Sequence, residues 1–378
     1  MTVPSLRFKK FDRDWSINKI EEISIVTSGG TPSRSVREYW SGNIPWVTTS
    51  LVDFNVINEA KEFITQVGLD NSSAKLFPKD TILMAMYGQG ITRGKVAILG
   101  IEATTNQACA AIKLKNGFDT KFIFQNLMNR YEEIRDLSNE GGQKNLSAGI
   151  IKEILISFPE KEEQTKIASF LSAVDEKISQ LTQKHQLLSQ YKQGMMQKLF
   201  SQQIRFKADD GCEFGEWENL KFKDVITIKY GKDHKKLEDG DIPVLGTGGI
   251  MRYVDSYLYD GESILIGRKG TIDKPQFISG KFWTVDTLFY TEIGEKIQPK
   301  FAFQQLLLVN WLNLNEATGV PSLNTTSIGN IELKVPNLKE QTKIANFLSA
   351  IDQKIEVVAQ QIEQAKTWKK GLLQQMFV

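Results

Sequence analysis

Two stretches of this 378-residue chain set polar side chains that can read nucleobase edges just beyond a strand-like run and a glycine. In the first, Asp80–Tyr87 runs into Gly88-Gln89-Gly90, with Thr92 and Arg93 beyond; Lys95–Gly100 makes the next strand. A Thr-rich element, Ala103-Thr-Thr-Asn-Gln107, then brings Asn106 and Gln107. In the second, Glu262–Gly267 runs into Arg268-Lys269-Gly270-Thr271, and the matching element is Trp283–Thr287. Arginine and lysine pair with guanine, and asparagine and glutamine with adenine, through matched donors and acceptors in the major groove. Glycine at a strand end permits a tight turn and close backbone approach. Any one of these residues, taken singly, reads more readily as an ordinary polar turn residue; the set as a whole points to DNA contact.

Two loops carry phosphate chemistry. Ser28-Gly-Gly-Thr-Pro-Ser-Arg34 supplies Thr31, Ser33 and Arg34 and is followed by Glu38-Tyr-Trp40 and Ile44-Pro-Trp46. Tyr230–Lys236 is the most basic short cluster, with Lys232, His234, Lys235 and Lys236, and Lys229 just before it in a β-rich run, Val225–Tyr230. Hydroxyls, backbone N–H groups and lysines are the usual phosphate partners and fix register without specifying sequence. The other readings are a hairpin with Trp40 and Trp46 in the core, and a solvated charge run. Arg252 and the glycine-containing segments GGQKNL (141–146, with Lys144 and Asn145) and GVPSLN (319–324, with Asn324) complete the candidate DNA-binding set.

Other chemistries lack their residues. Gly94-Lys95, Gly231-Lys232 and Gly280-Lys281 are followed by Val, Asp and Phe, so no Walker A loop has its magnesium-binding hydroxyl. No two of the ten prolines are adjacent, which rules out the Asp/Asn-Pro-Pro-Tyr/Phe tetrapeptide of adenine methyltransferases. Gly88-Gln-Gly90 continues as Ile-Thr-Arg and breaks the dinucleotide fingerprint. Two histidines and two distant cysteines, Cys109 and Cys212, leave little room for a triad, a zinc site or a disulfide framework, and fit a reducing cytoplasm. No catalytic or metal-binding residue is therefore expected. The first residues contain no apolar leader, and no apolar run approaches the ~18 residues of a membrane span. Net charge is +2, with about +2 on 1–155 and about −3 on 204–335, so DNA-binding cations must be clustered locally.

These residues are positioned by a chain that repeats itself. Residues 163–200 (EQTKIASFLSAVDEKIS…) and 340–377 (EQTKIANFLSAIDQKIE…) align without a gap, with about half the positions identical. Each follows a Pro-containing strand-like entry, Ile156–Pro159 and Leu333–Pro336. The start repeats too: Ile204-Arg-Phe-Lys207 echoes Leu6-Arg-Phe-Lys9, and Trp217 echoes Trp15. The order is (head–helix) twice, with heads of about 155 and 130 residues. In the first helix Ile167, Leu171, Val174, Ile178, Leu181, His185 and Leu188, and in the second Ile344, Leu348, Ile351, Ile355, Val358, Ile362 and Ala365, alternate spacings of four and three. That seam predicts a coiled coil, each helix a rod of about 57 Å. The alternative is two independent amphipathic helices, each packed on its own head. An antiparallel pair lets one head close the connection from Phe200 to Glu340, and relates the heads by a pseudo-twofold. Because Phe377 is equivalent to Phe200, Leu6-Arg-Phe is expected beside the C-terminal helix end.

SGGTPSR…EYW.G.IPW in the first head and EQTKIA.FLSA.D.KI at the start of each helix make the chain resemble the specificity subunits of type I restriction–modification systems over nearly its whole length. The resemblance implies an α+β fold: two mixed α/β target recognition domains (1–155 and 204–335) separated by two long antiparallel coiled-coil helices (156–203 and 336–378). It implies a non-catalytic, cytoplasmic protein that reads a bipartite, asymmetric site in double-stranded DNA. Two modification (methyltransferase) subunits would bring S-adenosylmethionine for adenine methylation, and restriction (translocase/nuclease) subunits ATP and Mg, with no cofactor on this chain. Two rival readings remain. One is a stand-alone methyltransferase or nuclease, whose motifs are missing. The other is a coiled-coil adaptor with protein-binding heads, which binding to duplex DNA would separate.

Overall fold

The structure, a computed structural model, describes residues 3–88, 91–137 and 145–377. Gln89 and Lys144 lie outside that range. The chain divides into two compact units, one of residues 1–180 with 362–378, the other of residues 181–361.

The apolar runs of the first head become strands buried on both faces. Ile82–Ala85 and Val96–Leu99 are fully buried along their length. Side chains alternate across a strand. Ile82, Met84, Val96, Ile98, Ala110 and Ile112 therefore enter one core, while Leu83, Ala85, Ala97, Leu99, Cys109 and Ala111 enter another. The sheet has five strands in the order Ser24–Ser28, Cys109–Leu114, Ile82–Ala85, Val96–Leu99, Val56–Ile57; only its last pair is parallel. A four-stranded sheet follows, ordered Glu62–Ile64, Trp40–Val47, Ala103–Thr105, Leu76–Phe77. The short strands Ser16–Lys19 and Leu155–Phe158 pair antiparallel. Helix Thr120–Asn129, started by the Asp119 carboxylate accepting from Phe122 N (3.0 Å), presents Phe122 to Trp15 and Phe377.

The second unit repeats this with one continuous sheet of six strands. The order is Ile226–Tyr230, Leu288–Ile293, Tyr259–Gly267, Gln276–Thr284, Ile242–Gly246, Gly249–Val254. Ile264, Ile266 and Phe289 face one core, and Leu265, Leu288 and Tyr290 the other. Glu218–Lys221 pairs with Glu332–Val335, and helix Pro299–Leu306 presents Phe301 to Trp217 and Phe200.

The long helices run Lys161–Phe200 (40 residues) and Leu338–Met376 (39 residues). Their seam residues lie on the buried face; Ile178, His185, Leu188, Ile355 and Ala365 are half-buried and the others buried. The seam is not reserved for a partner helix. Ile167, Leu171 and Val174 share a core with the first head and with Leu372, Leu373 and Met376, and Ile344, Leu348 and Ile351 share one with the second head and with Met196 and Leu199. Heptad spacing reports that a face is buried, but a head and a helix bury it equally well.

Each helix starts at a buried charged joint. Glu163 and Glu340 are 0% exposed. Arg7 grips Glu163 with Nε and Nη2, each at 2.7 Å, and Nη2 also donates to Arg13 O. Arg205 grips Glu340 at 3.1 and 2.7 Å and donates to Gly215 O, while Trp217 Nε1 donates to the same carboxylate. These charge-assisted hydrogen bonds to Glu163 and Glu340 hold both guanidinium pKa values above their ordinary range. The next residue is a buried glutamine. Gln164 donates to Pro159 O (2.9 Å) and accepts from Asp119 N, as Gln341 donates to Pro336 O (2.8 Å) and accepts from Gln298 N.

Both ends of the chain close the first unit. Leu6 N donates to Gln375 O at 2.9 Å, as expected from the repeat; within the second unit Ile204 N donates to Lys198 O, the residue equivalent to Gln375. Replacing Arg205 by alanine leaves the Glu340 carboxylate buried without its cation. We expect a loss of about 3–5 kcal/mol, read by urea unfolding, with Arg7→Ala acting alike in its own unit. Wild-type stability in both variants would contradict the joint's role.

Candidate nucleic-acid interface

The loops at the end of the first strand of each main sheet are built on one frame. In the first unit Gly30 N donates to Thr105 O (2.8 Å) and Trp46 Nε1 donates to Gly30 O (3.0 Å). In the second, Lys232 N donates to Thr284 O (2.8 Å) and Trp283 Nε1 donates to Lys232 O (2.9 Å). The two tryptophans come from opposite members of a parallel strand pair, Trp46 opposite Thr104 and Trp283 opposite Val244. Glycine precedes the pinned residue for a steric reason. A Cβ on Gly29 would sit 2.1 Å from Thr105 Oγ1, and one on Gly231 2.0 Å from Val285 O.

In the first unit the frame gathers Thr31 and Gln107, whose side chains hydrogen-bond. Asn106 sits beside them, its N bonded to Val47 O and its Oδ1 buried without a partner among the described residues. Ser33 shares a hydrogen bond with Ser35. Arg34 lies over Trp40, 3.7 Å from the ring centre, and over Trp46 at 4.8 Å, while both of its terminal nitrogens bond Glu62. That bond holds the Glu62 carboxyl below its usual range. Arg34 is thus positioned by a cation–π stack and an ion pair. Arg93 is buried and donates from Nε to Arg135 O; Thr92 and Asn145 are half-buried. Burial pushes the Cys109 thiol up to about 12, which keeps it protonated and unreactive.

In the second unit the frame borders an open groove of about 770 Å³, lined among others by Asp233, His234, Lys235, Gly246–Met251 and Val285–Thr287. Arg268 and Lys269 join it through their backbone N–H groups, which donate to Thr287 O, and Arg268 Nη1 reaches Asp286 O. Its guanidinium lies 5.5 Å from the Tyr230 ring centre. His234 Nδ1 is buried without a partner among the described residues. Lys232, Lys235, Lys236 and Lys269 are exposed and form no ion pair among the described residues. Thr271 is exposed nearby. Other candidates are engaged elsewhere: Lys229 with Glu292 (3.2 Å), Arg252 with Asp239 (2.8 Å). Asn324 caps helix Thr325–Gly329 by accepting from Ser327 N.

The hydrogen-bonding residues that sequence reasoning missed are in the joint, Arg7, Glu163, Gln164 and their counterparts. The signal for them was present: Arg and Glu-Gln are each identical in both copies of the repeat. Among the described residues no His/Cys/Asp/Glu group could hold a metal ion, and no helix is long and apolar enough to cross a membrane.

Comparison with known proteins is consistent with a nucleic-acid surface. Residues 12–190 and 215–367 match the type I restriction modification DNA specificity domain. The chain is 25% identical over 403 aligned residues to the type I restriction enzyme MjaIX specificity subunit of Methanocaldococcus jannaschii, covering 96% of this chain and 93% of that protein. It is 24% identical over 355 residues to the type I restriction enzyme EcoprrI specificity subunit of Escherichia coli, covering 88% and 86%. In fold it resembles the S subunit of the type I restriction–modification system of M. genitalium, with a TM-score of 0.69 at 18% identity, over 100% of this chain and 99% of that one.

The unpaired lysines give a quantitative expectation for a duplex. Replacing Lys235 and Lys236 by alanine should weaken binding uniformly across sequences. It should also flatten the slope of log K against log salt by about 0.9 per lost phosphate contact. A slope equal to the parent's would place these lysines off the DNA.

Proposed function

This chain belongs to the type I restriction–modification DNA specificity family, as a specificity subunit, and from that premise we propose that its two heads read the two different halves of one bipartite, asymmetric site. The observation that carries this is the shared loop frame with unlike side chains. Gly29-Gly30-Thr31 and Gly231-Lys232-Asp233 are pinned by the same bonds, yet they offer a hydroxyl beside a glutamine in one head and a cluster of lysines in the other. Like bonds fix the loop backbone within each head; different side chains present different donors and acceptors.

The sequence-derived contacts divide accordingly. Thr31, Asn106 and Gln107 of the first head, and Arg268, Lys269 and Thr271 of the second, are proposed at base edges or next to them. Lys232, His234, Lys235 and Lys236 are proposed on phosphates. In this reading the chain has no catalytic role. Adenine methylation with S-adenosylmethionine belongs to two modification subunits, ATP- and Mg-dependent cleavage to restriction subunits, and all act in the cytoplasm.

The long helices are proposed to pair antiparallel as a coiled-coil spacer, with residues 1–155 and 204–335 as the target recognition domains and a pseudo-twofold relating them. Two ion pairs support this, each within one unit. Asp175 bonds Lys369 (2.6 Å) and Lys192 bonds Asp352 (2.7 Å), so the partner number falls as the residue number rises.

Exchange of residues 218–335 for the equivalent segment of a relative with a different target tests the reading, because it leaves Arg205, Trp217 and Glu340 in place. Methylation mapping with the modification subunit should show one half of the site changed, and the other half and the gap unchanged. A change in both halves, or in neither, would overturn it.

A further inference from the structure

An apolar hairpin beside the second head's groove has no role in the reading so far. Ile242–Gly246 and Gly249–Val254 pair antiparallel with Gly246 opposite Gly249, leaving Thr247-Gly248 as a two-residue turn. Gly249 has φ 109°, in the left-handed region that favours glycine, and among the described residues no neighbour stands within 4 Å of a Cβ built on Gly248 or Gly249. The hairpin's base is fixed. Val254 is fully buried, and Arg252 is held by Asp239 and by Leu237 O. Its tip is not covered: Ile250 is 56% exposed and Met251 60%. Strand Gly249–Val254 is also the last of the six-stranded sheet. An apolar edge strand left open to water invites association, and proteins normally blunt it with charge or cover it.

The surroundings indicate what covers this one. The groove is also lined by His234 and Lys235, whose loop carries the unpaired Lys232 and Lys236, while Arg268 and the unpaired Lys269 are tied to the lining residue Thr287 through their backbone N–H groups. The groove also carries the carboxylates of Asp233 and Asp286, but Lys232, Lys235, Lys236, Arg268 and Lys269 outnumber them in the loops that border it. An apolar tip within a cationic border matches a polyanion that also exposes apolar groups. Duplex DNA does so in its major groove, which admits a two-stranded β-ribbon and displays the C5-methyl of thymine as its apolar feature.

We propose that Ile250 and Met251 at this tip read a thymine through its C5-methyl group, within the half-site assigned to the second head. The inference rests on the function proposed above. It makes these two side chains specificity determinants that a search for polar base readers does not find.

The test replaces each thymine of that half-site by deoxyuridine, which keeps every hydrogen-bonding group and removes only the methyl. Binding is measured for the full chain assembled with its modification subunit. One position should weaken about four-fold, the contribution of a single buried methyl. The Ile250→Ser/Met251→Ser double variant should bind the thymine and uracil duplexes equally, whereas Ile250→Val/Met251→Leu should keep the preference. Specific binding with no methyl-sensitive position, or with the same thymine preference in the serine variant, overturns this inference alone. So does loss of the modification subunit from the serine variant with that preference intact, which would assign the tip to a protein contact. A complex that binds no sequence specifically overturns the proposed function as well.

Discussion

The structure depends on a carboxylate that has no access to water. A glutamate in the first turn of a long helix ordinarily sits in solvent, where the helix N-terminus favours it modestly. Glu163 and Glu340 are instead sealed in, so each needs a cation of fixed geometry. Arg7 and Arg205 supply it through two parallel N–H bonds, a match that a lysine's point charge cannot reproduce. Since each arginine stands at the start of its head and each glutamate after it, the ion pair clasps the head at its neck. The adjacent glutamine then ties the helix start to the entry strand's proline carbonyl and to the backbone before the head's helix.

A second set of bonds extends from that neck. Gln125 donates to Asp175, which also receives Lys369; Gln304 donates to Asp352, which also receives Lys192. In each unit one aspartate joins a head helix to both long helices. The first unit includes residues 362–378, whose Leu372, Leu373, Met376 and Phe377 enter its core. The consequence is positional: each loop frame is set on a sheet whose core is continuous with the helices, and the side chains proposed to contact DNA inherit that orientation.

The helices, the repeat and the proximity of Leu6 to the C-terminal helix end were legible because they rest on periodicity and identity, which a single chain displays. The heads were legible only in part. Ile82–Ala85 and Val96–Leu99 declare themselves as apolar runs, but Val56–Ile57 is two residues long and pairs only through tertiary context. A polar residue's type shows what it can bond, not what it faces. Arg34 stacks on tryptophans, Arg93 turns inward and Asn324 caps a helix, and only the Asn-Thr-Thr-Ser pattern of the last carried a local signal. The burial of Glu163 ran against its residue type; the duplicated Arg and Glu-Gln were the clue.

The central claim is that one chain carries two unlike readers of one duplex. The direct measurement is selection from a randomised duplex library by the chain assembled with its modification subunit, followed by sequencing of the retained duplexes. The account predicts two specified blocks of different sequence, separated by a gap of constant length and free sequence. A single contiguous block, or two copies of one block, would contradict it.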